Sequence, residues 1–113
     1  MELINIKVKK NSKGDLRDGK FYVKELSFDE CFELHDKGDK GEDANLRLVQ
    51  MCLVDEEGER VFKPQQMKLI KERISGVDMM AVLMEANGLN DFNKIAEISE
   101  KYRKNSQSDP KTD

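Results

Sequence analysis

The chain has 113 residues, the size of one ordinary domain, and its 37% hydrophobic and 38% charged residues allow one thin core. Its 20 basic and 23 acidic residues are interspersed and leave a net charge of −3, which argues against nucleic acid as a partner, because such binders gather their basic residues into a stripe. No apolar run approaches the ~18 residues of a membrane-spanning helix, and the start Met1-Glu2-Leu3-Ile4-Asn5-Ile6 has neither the basic end nor the long apolar stretch of a signal peptide. A cytoplasmic location is expected, with Cys31 and Cys52 as reduced, buried thiols.

In chain order, Ile4, Ile6 and Val8 alternate with Asn5 and Lys7, the period of one strand face. A polar stretch with two glycines follows over residues 11–20. Phe21-Tyr22-Val23-Lys24 then reads as a second strand. Together they predict a short hairpin within residues 3–25, although a loop of about ten residues is long for one.

Ser27 followed by Glu30 is a capping box, each side chain bonding the other's backbone N–H. Leu26 and Cys31 occupy the staple positions, and Phe28, Cys31, Phe32 and His35 fall on one face. A first helix over 28–36 is predicted, ending in the loop Lys37-Gly38-Asp39-Lys40-Gly41. A second helix runs over about 43–54, capped by Asp43. Leu46, Val49 and Leu53 form its stripe, Leu48, Met51, Cys52 and Val54 widen it, and Arg47 and Gln50 keep a polar edge.

Asp55-Glu56-Glu57-Gly58-Glu59-Arg60 reads as a turn, after which Val61 and Phe62 re-enter the core. Pro64 suits the first position of a third helix, where its missing N–H costs nothing, and Met67, Ile70 and Ile74 make that helix amphipathic. Ser75 opens a fourth helix that Asn87-Gly88 should close. Asn90 then caps a fifth, striped by Phe92, Ile95, Ile98 and Tyr102, with Glu97 placed four residues before Lys101. The fold expected is mainly α: a compact bundle of about five short helices over 27–103 behind the N-terminal hairpin, in one domain spanning 1–103. The polar residues 104–113 should form a disordered tail, whose removal should leave folding intact.

Chemistry finds little foothold. Cys31 and His35 sit one turn apart and could present two metal ligands, but a zinc site needs two more and only Cys52 remains. Asp36, Asp39, Glu42 and Asp43 miss the alternating ligand pattern of a calcium loop. Neither a phosphate-binding glycine loop nor a nucleophile elbow is present, and Cys–His catalysis would need an orienting group and an oxyanion hole to which nothing points. No enzyme activity, metal or other cofactor is expected.

The fourth helix reads Val77-Asp78-Met79-Met80-Ala81-Val82-Leu83-Met84-Glu85-Ala86. Asp78 and Glu85 share one narrow stripe and the remaining circumference is apolar. Either this is the central helix, wrapped by the others, or part of its surface meets another chain. Methionine is flexible and recurs where varied apolar helices are accepted. Under the second reading the partner surface comprises Met79, Met80, Leu83 and Met84, with Met51 or Met67 nearby. If the folded chain itself covers Met79, Met80 and Met84, that reading fails.

Three segments, in this order and spacing, resemble the tail assembly chaperones of long-tailed, lambda-like bacteriophages. They are Tyr22-Val23-Lys24-Glu25-Leu26-Ser27, then Met51-Cys52-Leu53-Val54-Asp55-Glu56-Glu57-Gly58-Glu59-Arg60-Val61-Phe62, then Met84-Glu85-Ala86-Asn87-Gly88-Leu89. The resemblance covers about residues 21–91. It implies a protein of the host cytoplasm that binds the long, largely helical tape measure protein before the tail tube forms, keeps it soluble and helps recruit tail tube protein. It also implies displacement as the tube polymerises and absence from the mature virion. Self-association into a homo-oligomer is expected, and neither membrane nor nucleic acid is a partner. The rival reading is a small regulatory or toxin-neutralising module that forms a compact complex with one folded partner.

Overall fold

A computed structural model describes residues 1–91 together with 94, 97, 98, 100 and 101. The first strand, β1 (Glu2–Ile4), pairs antiparallel with β2 (Phe21–Val23), Leu3 opposite Tyr22. The expected hairpin is therefore present, and a further bridge joins Lys9 to Leu16 within its loop. The strand ends at Ile4, short of the alternation that extends to Val8, but Ile6 and Val8 beyond it are still buried.

The strand β3 (Leu53–Val54) corrects the sequence reading, which carried the second helix through Val54. These two residues leave the helix and pair with the outer edge of β2, Val23 opposite Leu53. The Lys24 N–H donates to the Cys52 carbonyl at 3.0 Å and the Val61 N–H to the Leu53 carbonyl at 3.1 Å. Both residues are fully buried, and in a fully buried segment helical and extended spacing are indistinguishable.

Between these strands lie α1 (Phe28–Lys37) and α2 (Glu42–Cys52). The α1 capping box forms as expected: Ser27 Oγ accepts the Glu30 N–H at 3.3 Å and Glu30 Oε1 accepts the Ser27 N–H at 3.0 Å. Gly38, at φ 65°, ends the helix in the left-handed conformation that a side chain would disfavour. Phe28 and Phe32 meet edge to face at 4.9 Å on α1.

The central helix is α2. Leu46, Leu48, Val49, Met51 and Cys52 are buried, and it packs against α1, α3 and α4. Its N-cap is Gly41, leaving Asp43 within the first turn rather than at the cap. Gln50, expected at a polar edge, is fully buried with its Nε2 donating to the Phe62 carbonyl at 3.2 Å.

The acidic turn is held by Asp55, whose Oδ1 accepts the N–H groups of Glu57 and Glu59, each at 3.0 Å. Val61 and Phe62 then return to the core. Pro64 starts a 3-10 turn and not the third helix itself: α3 begins only at Met67 and ends at Arg73, with Ile74 as its extended C-cap, and α4 (Gly76–Asn90) follows. Ser75 Oγ caps α4 by accepting the Asp78 N–H at 3.2 Å.

The fourth helix does not close at Asn87-Gly88. It runs on to Asn90, where Asp91 takes the left-handed capping position at φ 43°. Asn90 belongs to α4 and faces inward instead of capping a fifth helix. Asp91 does that work, its Oδ1 accepting the Lys94 N–H at 3.3 Å. Residues 94, 97, 98, 100 and 101 are helical, and Lys101 pairs with Glu97 at 3.4 Å. Of the stripe expected there, Phe92, Ile95 and Tyr102 lie outside the described residues, as does the tail over 104–113. Among the described residues no helix is long and apolar enough to cross a membrane.

Candidate interaction face on the fourth helix

Val82, Ala86 and Asn90 recur at four-residue intervals and form the buried face of α4. They turn the helix against α2, β1 and β2. At 3.6 residues per turn, the opposite face carries Val77, Met80, Ala81, Met84 and Gly88. Val77 is 81% exposed, Met80 58% and Met84 71%, and Ala81 and Gly88 are exposed as well. None of these five has a polar side chain. The reading of α4 as a wrapped central helix is thereby corrected, since α2 occupies that place.

The two charges do not soften this surface. Asp78 is half-buried at one flank, where its Oδ2 accepts the Lys7 N–H at 3.0 Å. Glu85 lies on the same flank two turns later. The polar stripe of α4 thus points sideways, one of its charges tied to the N-terminal hairpin, and the side facing solvent is left apolar. Contiguous exposed apolar surface of this kind marks an interaction site far more often than scattered single residues do.

The candidate partner residues separate. Met80 and Met84 stand on the outward face. Met79 and Leu83 are half-buried on the flank away from Asp78 and pack partly against the core. Met67, on α3, is half-buried against the same core. Met51 is fully buried on α2, the helix that packs against α1, α3 and α4, and is removed from the surface set. Val77 and Ala81 belong to the face and were missed. The available signal was the buried repeat Val82–Ala86–Asn90, which fixes the outward side as its opposite.

The groups tested for chemistry are spent elsewhere. His35 Nε2 lies 3.0 Å from Glu100 Oε1, and the Cys31 thiol lies 4.0 Å from the Leu26 carbonyl. Both cysteines are free, Cys52 buried and Cys31 only half-buried. Burial, with a smaller effect from Glu30, pushes the Cys52 thiol up to about 12. Burial also raises Cys31, reinforced by Glu30 and Glu25, so neither environment favours the reactive thiolate. In the acidic loop, Asp39 accepts Arg47 Nε at 2.9 Å and Glu42 pairs with Lys71 at 2.6 Å. Among the described residues, no three His, Cys, Asp or Glu side chains come together as a metal-ligand set.

Compared with known proteins, the chain matches no family model, no curated protein and no solved structure.

Proposed function

We propose that this chain is a phage tail assembly chaperone, a binding protein without catalysis that holds the tape measure protein soluble in the host cytoplasm. In the same role it helps recruit tail tube subunits, and it leaves before the virion matures. The observation behind this reading is the outward face of α4, where Val77, Met80, Ala81 and Met84 offer apolar surface along the helix. A long helical client carries apolar stripes of its own, and helix-to-helix burial is the natural way to cover both. Methionine at two of the central positions suits a surface that must accept many successive client segments of differing shape.

Two further features favour the same reading. Two of the three segments that resemble the chaperone family take up defined roles in the fold, β2 leading into capped α1 and the end of α2 with β3 and the acidic turn before Phe62, while the third, Met84–Leu89, lies within α4 instead of closing it. The high proportion of charge would keep a many-copy complex dispersed, while multivalent attachment along one client raises the effective affinity without new contacts.

Co-expression with a tape measure protein tests the reading. The client should move from the insoluble to the soluble fraction and co-purify with many copies of this chain. A compact complex of fixed small stoichiometry with an unrelated folded protein, and no effect on the tape measure protein, would favour the regulatory module instead.

A further inference from the structure

Away from the α4 face, a cavity of about 250 Å³ opens between the loop of the N-terminal hairpin, Phe62 and α3. Four cations line it: Lys9, Lys10, Arg17 and Arg73. Gln66 adds a carboxamide and no carboxylate lies among its lining residues. In a chain of net charge −3, this is a local reversal of sign. Glu72 Oε2 pairs with Arg73 Nη1 at 3.8 Å, beyond hydrogen-bond reach, and Arg17 also borders a separate cavity with Asp18, Asp55, Glu56 and Glu57. Asp15, on the same loop, is engaged by Asn11 Nδ2 at 2.8 Å.

The backbone that carries three of these cations is held by hydrogen bonds that leave their exposed side chains free to reach a ligand. The Lys9 N–H donates to the Arg73 carbonyl at 2.9 Å, the Lys10 N–H to the Asp15 carbonyl at 2.8 Å and the Arg17 N–H to the Val8 carbonyl at 2.8 Å. Arg17 spends one guanidinium donor on the Val61 carbonyl, at 3.4 Å. The Arg73 side chain is only 16% exposed, and among the described residues its guanidinium makes no hydrogen bond. A half-buried arginine whose donors make no hydrogen bond, beside a second arginine and two exposed lysines, offers an oxyanion forked donors and positive charge.

We propose that this cavity binds a phosphoryl group on a small ligand, with Arg17 and Arg73 supplying the forked donors and Lys9 and Lys10 supplying charge. A phosphoryl group brings roughly −1.5 to −2 charge and three acceptor oxygens, a better match to four cations than a single carboxylate. The cavity admits an inorganic phosphate, a pyrophosphate or the head of a phosphomonoester, all of which share this chemistry.

Calorimetric titration of the full chain at low salt tests the proposal, with pyrophosphate, inorganic phosphate, adenosine monophosphate and citrate as probes. Pyrophosphate should bind at one site, more weakly as salt rises. Arg73→Gln and Arg17→Gln should each weaken it about tenfold, the loss expected for one charge-assisted contact, while Lys40→Gln should not. Adenosine monophosphate binding tighter than inorganic phosphate would identify an organic source, and the reverse order an inorganic one. Should Arg73→Gln fail to fold, the exposed Lys10→Gln reports in the same direction. Absence of pyrophosphate binding, citrate binding equally well, or affinity unchanged in the arginine variants would overturn the proposal.

Discussion

The Asn90 carboxamide oxygen accepts the Leu26 backbone N–H at 2.7 Å, joining the last residue of α4 to the residue that precedes the α1 capping box. The same side chain donates from Nδ2 to the Ala86 carbonyl at 2.9 Å and to the Lys24 carbonyl at 3.4 Å. One buried carboxamide thus satisfies backbone groups on two separate segments, and it holds α4 against the strand-to-helix connection.

Removing it should cost more than an average hydrogen bond, because the Leu26 N–H would stay buried without a partner. Asn90→Ala is expected to lower stability by about 2–3 kcal/mol, read as a shift in the urea midpoint at constant slope. An unchanged midpoint would mean that water replaces the carboxamide without loss.

Methionines on the two sides of the molecule should behave oppositely. Met51→Ala empties a fully buried position and should destabilise by about 2–5 kcal/mol. Met84→Gln alters an outward-facing residue and should stay within about 0.5 kcal/mol of the parent. Thermal or urea denaturation of both variants compares them directly. Equal losses would place Met84 in a packed environment and remove the exposed face.

Glu30 sets an acid limit on the α1 junction. Burial acts to raise its carboxyl, but Lys24 at 2.6 Å, the Ser27 N–H, Arg60 at 2.8 Å and the Ser27 hydroxyl together outweigh it and hold the group down at about 2, from 4.5. Since the folded value lies below the unfolded one, the stabilisation is fully present above about pH 4.5 and is lost as pH falls toward 2. Glu30→Gln should therefore be less stable than the parent at neutral pH and show a flatter stability profile across that window. Parallel acid profiles for the two proteins would contradict the assignment.

Much of the architecture was legible wherever local rules act alone. The Ser27–Glu30 box, the inward side of Ile6 and Val8 and the return of Val61 and Phe62 all follow from sequence spacing. The errors occur where a long-range partner overrides a local preference. Leu53 and Val54 continue a helical pattern but are claimed by β2. Asn87-Gly88 has the form of a stop, yet Asn90 finds its partners at Lys24 and Leu26 only if the helix continues. A polar side chain such as Gln50 suits a helix edge by its chemistry alone, and its bond to the Phe62 carbonyl is invisible in one dimension. For the interaction face, the apolar composition of α4 was plain but its orientation was not. Asp78, which would ordinarily mark the solvent side, is drawn to the flank by Lys7.

The outward face of α4 is best tested by a double variant, Met80→Glu with Met84→Glu, co-expressed with a tape measure protein. Folding should persist, because both side chains are already exposed, while the two new charges should abolish client solubilisation, co-purification and self-association. A variant that folds and still keeps the client soluble in many-copy complexes would contradict the account.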